Sequence, residues 1–443
     1  MSMRLPMSAE RIPCSVAVTA KYLLPHALEP VVRDAAVAVK DTRVLALGKE
    51  ADILLKYRPE TRLDMGDSLL MPGLINAHTH ASMTLLRGVA DDLPLRTWLT
   101  EHIFPREKKL DPARIALGAK LACVEMTRFG VTAFADMYLA ENAVFDVAEA
   151  SGLRMLGGEG IFAFPSPGYG TEEEAFSLLR EQAARWRNHP RIRVAVMPHA
   201  VYTTTPALLA RCRDAAEELD LSIQIHLAET RHETEECLNS HGMTPLRYCA
   251  DLGLLTERTT LAHGVVFDDR ELEMLAAGGA CVAHCPRSNM KLASGVARVP
   301  AMLALGIPVA LGTDGAASSN NLNMFQEMTA AALLHKVNRS DPTVVAARSA
   351  LAMATLNGAR ALHWPGLGEI AAGGPADIIA VDMTAPNMRP VLSPTSNIVY
   401  AATGAEVRMT MVDGDVLYKD GDYTRLDVAA IFSEAQRAAD GLR

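Results

Sequence analysis

The stretch Leu69-Leu-Met-Pro-Gly-Leu-Ile-Asn-Ala-His78-Thr-His80 is a short apolar run that ends in two histidines one residue apart. In a β-strand, positions two apart point to the same face, so His78 and His80 can reach one metal ion from a single strand end. His-X-His alone says little, because paired histidines are more often solvated or singly hydrogen-bonded. Its weight comes from seven further short apolar runs downstream: Val131-Thr-Ala-Phe-Ala-Asp, Arg154-Met-Leu-Gly-Gly-Glu-Gly-Ile, Val194-Ala-Val-Met-Pro-His, Leu221-Ser-Ile-Gln-Ile-His, Thr260-Leu-Ala-His, Ala280-Cys-Val-Ala-His and Pro308-Val-Ala-Leu-Gly-Thr-Asp. The segments between them, for example 111–129, 205–219 and 321–336, suit helices. Eight β-α units over residues 71–368 predict a parallel (β/α)8 TIM-like barrel. Active sites in such barrels lie at the C-terminal strand ends, where His78, His80, His199, His226, His263 and Asp314 all fall.

Outside this region the rhythm differs. Val16-Ala-Val-Thr-Ala-Lys-Tyr-Leu-Leu, Ala35-Ala-Val-Ala-Val and Arg43-Val-Leu-Ala-Leu-Gly read as strands near the start. Ala376-Asp-Ile-Ile-Ala-Val-Asp and 407–418 match them near the end, with Asp413-Gly414 as a hairpin signal. Residues 1–70 and 369–443 therefore predict one small β-sandwich domain built from both chain termini, with a surface helix over 428–442.

The 443 residues are 49% hydrophobic, enough for one large core plus a smaller unit. A net charge of -9 without a Lys/Arg cluster argues against nucleic acid or an anionic membrane as partner. Met1-Ser-Met-Arg-Leu-Pro lacks the apolar core of a signal peptide, and no apolar stretch approaches about 18 residues. Seven irregularly spaced cysteines without Cys-X-X-Cys point to free thiols in a reducing cytoplasm.

His78, His80 and His226 offer neutral imidazoles and Asp314 a carboxylate. Four such ligands suit a zinc ion that keeps a water by becoming five-coordinate, with iron or manganese as alternatives. Zinc in such a set lowers the pKa of a water from about 15.7 to about 7. Asp314 can accept the water's proton, and His263, one strand away, can hold the hydroxide. Glu229, three residues past His226, leans over the pocket and as an acid could protonate a ring nitrogen. Each residue has a bland alternative. His226 and His263 could be satisfied core histidines, Asp314 a turn residue in Gly312-Thr-Asp-Gly, and Glu229 a helix-start acid. The joint occurrence at successive strand ends favours the site. His26, His189, His232, His241, His335 and His363 keep the ordinary reading. His284 stands behind the ligands at most, and Cys281 and Cys285 read as small core residues.

Pro72-Gly-Leu-Ile-Asn-Ala-His-Thr-His, His226-Leu-Ala-Glu-Thr, Leu261-Ala-His-Gly and Gly312-Thr-Asp-Gly-Ala-Ala-Ser resemble the amidohydrolase superfamily of metal-dependent hydrolases, over residues 16 to 420. Trp98-Leu-Thr-Glu-His-Ile-Phe-Pro-Arg-Glu107, Met197-Pro-His-Ala-Val-Tyr-Thr and His284-Cys-Pro-Arg-Ser-Asn-Met-Lys-Leu-Ala-Ser-Gly are similar to the 5-methylthioadenosine/S-adenosylhomocysteine deaminases and related adenosine deaminases. The resemblance implies one divalent metal, Zn2+ first, on His78, His80, His226 and Asp314. Binuclear relatives carry a bridging lysine at the end of strand four, where this chain has Val-Met-Pro-His199. It further implies hydrolytic deamination at C6 of an adenine nucleoside. Glu229 would bond the purine edge, His263 and Asp314 handle the water, and Glu107 and His199 bind the ribose. The loop 86–104, with Leu93, Leu95 and Trp98, would cover the substrate. A homo-oligomer is expected by analogy.

One departure bears on substrate choice. Members that accept S-adenosylhomocysteine can carry an arginine after strand three, whereas Ile161-Phe-Ala-Phe-Pro-Ser-Pro-Gly-Tyr-Gly has none. Methylthioadenosine or adenosine is therefore expected over S-adenosylhomocysteine. The alternative reading is an amidohydrolase acting on a free heterocycle: a triazine chlorohydrolase or aminohydrolase, or a guanine or pterin deaminase. Glu107 and His199 separate the two, since a free base has no ribose. A third reading, a barrel without catalysis, is disfavoured because no ligand is missing. The other zinc deaminase signature, His-X-Glu with Pro-Cys-X-X-Cys, does not occur.

Overall fold

The computed structural model describes residues 11–442, so the opening Met1–Pro6 lies outside it. Both chain ends contribute to one nine-stranded mixed sheet. Its N-terminal strands are β1 (Ile12–Leu23), β2 (Val32–Lys40), β3 (Arg43–Lys49), β4 (Tyr57–Asp64) and β5 (Ser68–Pro72). Eight parallel strands come next: β6 (Leu74–Thr79), β7 (Val131–Tyr138), β8 (Arg154–Ile161), β9 (Ile192–Pro198), β10 (Ser222–Leu227), β11 (Thr259–His263), β12 (Cys281–His284) and β13 (Val309–Leu311). The mixed sheet is completed by β14 (Ile378–Asp382), β15 (Val407–Val412), β16 (Asp415–Lys419) and β17 (Asp422–Tyr423).

β5 pairs antiparallel with β14, Leu70 opposite Ala380, which stitches the two chain ends into one ladder. The far edge then turns back on the sheet. Val44 N–H donates to Gly374 C=O (3.0 Å) and Ala376 N–H to Thr42 C=O (2.9 Å), so β3 closes over the segment before β14. The enclosed core includes Val18, Val37, Leu70, Ile378 and Met409. The β15–β16 hairpin turns at Asp413 (φ 50°) and Gly414 (φ 79°). Positive φ at both central positions is what a type I′ hairpin demands, hence Asp-Gly.

The barrel strands lie in sequence order from β6 to β13. Nearly every residue in them is buried, as expected when helices cover one face and the barrel interior the other. No regular ladder joins β13 to β6 among the described residues; side-chain hydrogen bonds and a lone backbone bond close the seam instead. Asn76 accepts from Thr313 N–H (3.0 Å) and donates to Thr313 Oγ1 (2.7 Å). Asp314 N–H donates to His78 C=O (3.0 Å), and Thr79 Oγ1 donates to Asp314 C=O (3.0 Å). Gly312 is required here, because a Cβ would fall 2.8–3.0 Å from His78 atoms. The seam thus fixes His78 and Asp314 side by side. The helix Pro112–Arg128 packs on the short turn Ala81–Leu86, where Gly118 allows contact with Ser82.

Barrel and sheet are tied by a buried ion network. Arg154, at the start of β8, donates to Asp377 Oδ2 (2.7 Å) and Oδ1 (3.0 Å) and to Asp413. The carboxylate pair raises the basicity of this guanidinium despite its burial. Removing one partner strands a buried charge. Asp377→Ala is accordingly expected to cost about 3–5 kcal/mol, measured as a lower urea midpoint, with room-temperature turnover per folded molecule unchanged.

Candidate metal centre and substrate pocket

Each imidazole of the cluster is fixed through Nδ1. His80 Nδ1 faces Met137 C=O (2.5 Å) and His226 Nδ1 faces His199 C=O (2.8 Å). A carbonyl only accepts, so both Nδ1 atoms carry the hydrogen and both Nε2 atoms present a lone pair. Gln224 donates its amide to Ala77 C=O (3.0 Å), which turns its oxygen toward His78 Nδ1 (2.8 Å). His78 Nε2 is then a buried lone pair without any hydrogen-bond partner. The Nε2 atoms of His80 and His226 lie 3.2 Å apart, and Asp314 Oδ1 lies 3.1 Å from His80 Nε2 and 3.7 Å from His78 Nε2. Atoms bonded to one tetrahedral zinc at about 2.0–2.1 Å sit about 3.3 Å from each other. The donor set therefore fits one such ion. Without a cation, one proton must take its place. Burial opposes a charge on His80, but the hydrogen bond and charge of Asp314 outweigh it and raise its pKa to about 9. Burial, reinforced by the neighbouring imidazoles, lowers His226 well below its ordinary value and takes His78 to about 3.

Asp314 has only one oxygen to offer. Its Oδ2 accepts from Ser288 Oγ (2.6 Å) and Ser318 Oγ (2.7 Å), which leaves Oδ1 toward the imidazoles. His263 stands beside the same atoms, and His78, His226, His263 and Asp314 each have a ligand atom within 4.8 Å of the others. Two four-residue sets thus overlap, differing in His80 against His263, and the contacts through His80 are the shorter. His263 Nδ1 bonds the Asn289 amide oxygen (2.9 Å) and its Nε2 lies 3.9 Å from Glu229 Oε2. Burial raises the Glu229 carboxyl above its ordinary value, partly offset by His263. Ala228 has φ 52° ahead of Glu229, and this turn is held by Glu233, whose carboxylate accepts from Ala228 N–H (2.9 Å) and Glu229 N–H (2.7 Å).

One cavity joins this cluster to Trp98, Glu107 and His199. Glu107 ends the short helix Phe104–Glu107 and His199 comes directly after β9. Burial raises the Glu107 carboxyl, while the nearby Tyr138 hydroxyl and the charge of His80 work against the rise. His199 stacks on Phe162 (centroids 4.8 Å apart) and is neutral, its pKa lowered to about 3 by burial and by the charge on His80. Trp98 donates to Ala90 C=O (3.2 Å), starting a turn of π-helix over Trp98–Ile103. Leu95, Leu99 and Phe104 face the cavity with it; Leu93 does not and packs partly buried against the core. His284 pairs with His335 (Nε2–Nε2 3.2 Å) and does not line the cavity. Tyr138, Phe162 and Tyr202 do line it and carry no sequence signal beyond being aromatic near strand ends. Gln224, Ser288 and Ser318 sit inside or beside the sequence motifs, yet only the fold reveals what they touch.

Residues 69–417 match the sequence model described as "Amidohydrolase family". The chain is an amidohydrolase. It is 56% identical over 428 residues, 96% of this chain and 97% of the relative, to 5-methylthioadenosine/S-adenosylhomocysteine deaminase of Nitratidesulfovibrio vulgaris strain Hildenborough. A relative of the same name from Lawsonia intracellularis is 46% identical, covering 96% of this chain and 97% of its own. The amidohydrolase also superposes on the crystal structure of an adenosine deaminase from Xanthomonas campestris with bound zinc. The TM-score is 0.96 at 36% identity, covering 98% and 100% of the two chains. Atrazine chlorohydrolase from Arthrobacter aurescens, at 22% identity and TM-score 0.88 over 96% and 100% of the chains, shares the fold.

Gln224 does not line the cavity, so its substitution isolates the arrangement of the imidazole cluster. Gln224→Leu frees His78 Nδ1 and is expected to weaken Zn2+ binding about 10–100-fold, measured by competition with a chromogenic chelator.

Proposed function

We propose that this amidohydrolase removes the 6-amino group of an adenine nucleoside by hydrolysis, giving the inosine-type product and ammonia. The observation that carries this reading is one cavity that gathers two polar sets. Glu229, His263 and Asp314 surround the imidazole cluster, and Glu107 and His199, whose ring centroid lies 4.7 Å from that of His226, add acceptors suited to vicinal hydroxyls. The names of the 5-methylthioadenosine/S-adenosylhomocysteine deaminase relatives support it.

His78, His80, His226 and Asp314 would hold one Zn2+, whose Lewis acidity makes a neighbouring water a stronger acid. Asp314 Oδ1 takes a proton from that water, with Oδ2 engaged by the two serines. His263 accepts or donates a hydrogen bond at the attacking oxygen. Glu229, whose carboxyl burial raises above its ordinary value, gives a proton to the ring nitrogen beside C6 as the carbon–oxygen bond forms. The proton gathered by Asp314 then passes to the departing amine and the C6–N bond breaks; the C6 hydroxyl becomes the carbonyl, its proton returns Glu229 to the acid form, and ammonia leaves. Trp98 and the apolar residues beside it exclude bulk water from the base.

The cavity wall also bears on the 5′ substituent. Among the described residues no arginine or lysine lines it, while Leu95, Leu99, Phe104 and Phe162 do. A zwitterionic homocysteinyl tail would meet no cation there.

All seven cysteines are buried free thiols, and no described helix is long and apolar enough to cross a membrane, which fits the cytoplasm as location. Exposed Leu333 and Val337 on the helix Met324–Arg339, with Leu392 and Tyr400 flanking the helix packed beside it, suit assembly of copies of the chain.

Ultraviolet conversion of the adenine chromophore, with ammonia release as a check, tests the activity. The expected order of kcat/KM is methylthioadenosine and adenosine above S-adenosylhomocysteine; preference for the last would overturn the cavity argument. Glu229→Gln keeps the shape without a transferable proton. It is expected to retain zinc and lose about 10²–10⁴-fold in kcat, whereas His226→Ala loses the metal.

A further inference from the structure

The N-terminal end of the barrel, opposite the metal centre, carries a cleft of about 1190 Å³. It opens beneath the starts of β8, β9 and β10 and beside the tip of the β2–β3 hairpin. The chain as a whole carries a net charge of -9, yet six arginines line this cleft against three carboxylates.

Three of those arginines are already matched, and Arg43 and Arg187 are exposed to water. Arg154 is bound by Asp377 and Asp413, and Arg180 meets Glu218 at 3.3 Å. Arg258 pairs with Asp220 (2.6 Å), whose side chain is 91% exposed, so that pair is largely screened by water. Arg193 differs. It is half-buried, has no carboxylate partner, and donates only to His363 C=O (2.5 Å). Its guanidinium lies 4.3 Å from the centroid of Trp364, and Arg154 lies 5.4 Å from the same ring. Two guanidiniums therefore share one indole. Burial and the charge of Arg154 both press Arg193 toward losing its proton. His363, between Arg193 and Arg258, stays neutral, its pKa lowered to about 4 by burial and then by those two charges.

A half-buried cation without a counter-charge is unfavourable, and an anion entering the cleft relieves it. Forked guanidiniums match the oxygens of phosphate, with two parallel N–H donors each. We propose that this cleft is a second ligand site, which binds a phosphate group through Arg193 and Arg258. The volume admits a small phosphorylated metabolite as well as the free ion. The Trp364 ring is buried under guanidiniums and offers no stacking face, so recognition falls on the phosphate.

Isothermal titration of the zinc-loaded enzyme in phosphate-free buffer tests this, with inorganic phosphate in one arm and cytidine 5′-monophosphate in the other. Saturable binding in either arm, at least tenfold weaker in Arg193→Ala and only partly restored in Arg193→Lys, which keeps the charge but not the fork, is the expected result. The stronger arm says whether the free ion or a phosphorylated metabolite is the better ligand. Arg258→Ala provides a second variant at an exposed position, and nucleoside turnover in each variant reports correct folding, since neither residue reaches the metal centre. No saturable binding in the wild type, or wild-type affinity in both alanine variants, would overturn the proposal.

Discussion

The arrangement depends on where three Nδ1 hydrogens go. Met137 C=O, His199 C=O and the Gln224 side-chain oxygen each accept one, and together they turn three Nε2 lone pairs toward the same small volume. Lone pairs brought that close repel unless something positive sits among them. The chain has therefore built, from backbone carbonyls and one glutamine, a place whose polarity calls for a cation. The carboxylate that completes it is equally constrained, by two serines on one oxygen and by its own backbone at φ 59°.

The same atoms hold the barrel shut. β6 and β13 are not joined by a ladder, and Asp314 N–H to His78 C=O is one of the bonds across the gap. The contacts that close the barrel are consequently the same ones that set His78 beside Asp314. This explains why the irregular part of the backbone, with Gly312 pressed on His78, lies at the site rather than elsewhere. Strain of this kind is tolerated where surrounding contacts determine the conformation, and Asn76 with Thr313 supplies them.

Much of this is legible from the chain alone. Alternating apolar runs and helical segments mark the eight strands in order, because buried parallel strands write themselves as continuous apolar stretches. The residues at their ends are then placed by strand geometry. Contacts between residues far apart in sequence cannot be read that way: Gln224 on His78, Ser288 and Ser318 on Asp314, Glu233 under the Ala228 turn. A glutamine or serine has no periodicity that marks it, and its role exists only once two strands are neighbours. Leu93 illustrates the converse, since an apolar residue in a loop fits either a pocket wall or the core, and here it packs in the core. Of the three further histidines at barrel strand ends, His199 lines the cavity against His226, His263 stands beside the cluster and His284 turns to His335.

Diffraction data collected on either side of the zinc absorption edge, from crystals of the protein purified without added metal chelator, address the central claim most directly. One anomalous peak per chain is expected, bounded by the imidazoles of His78, His80 and His226 and by Asp314. Two peaks in the cavity, or a single peak away from these four side chains, would contradict it.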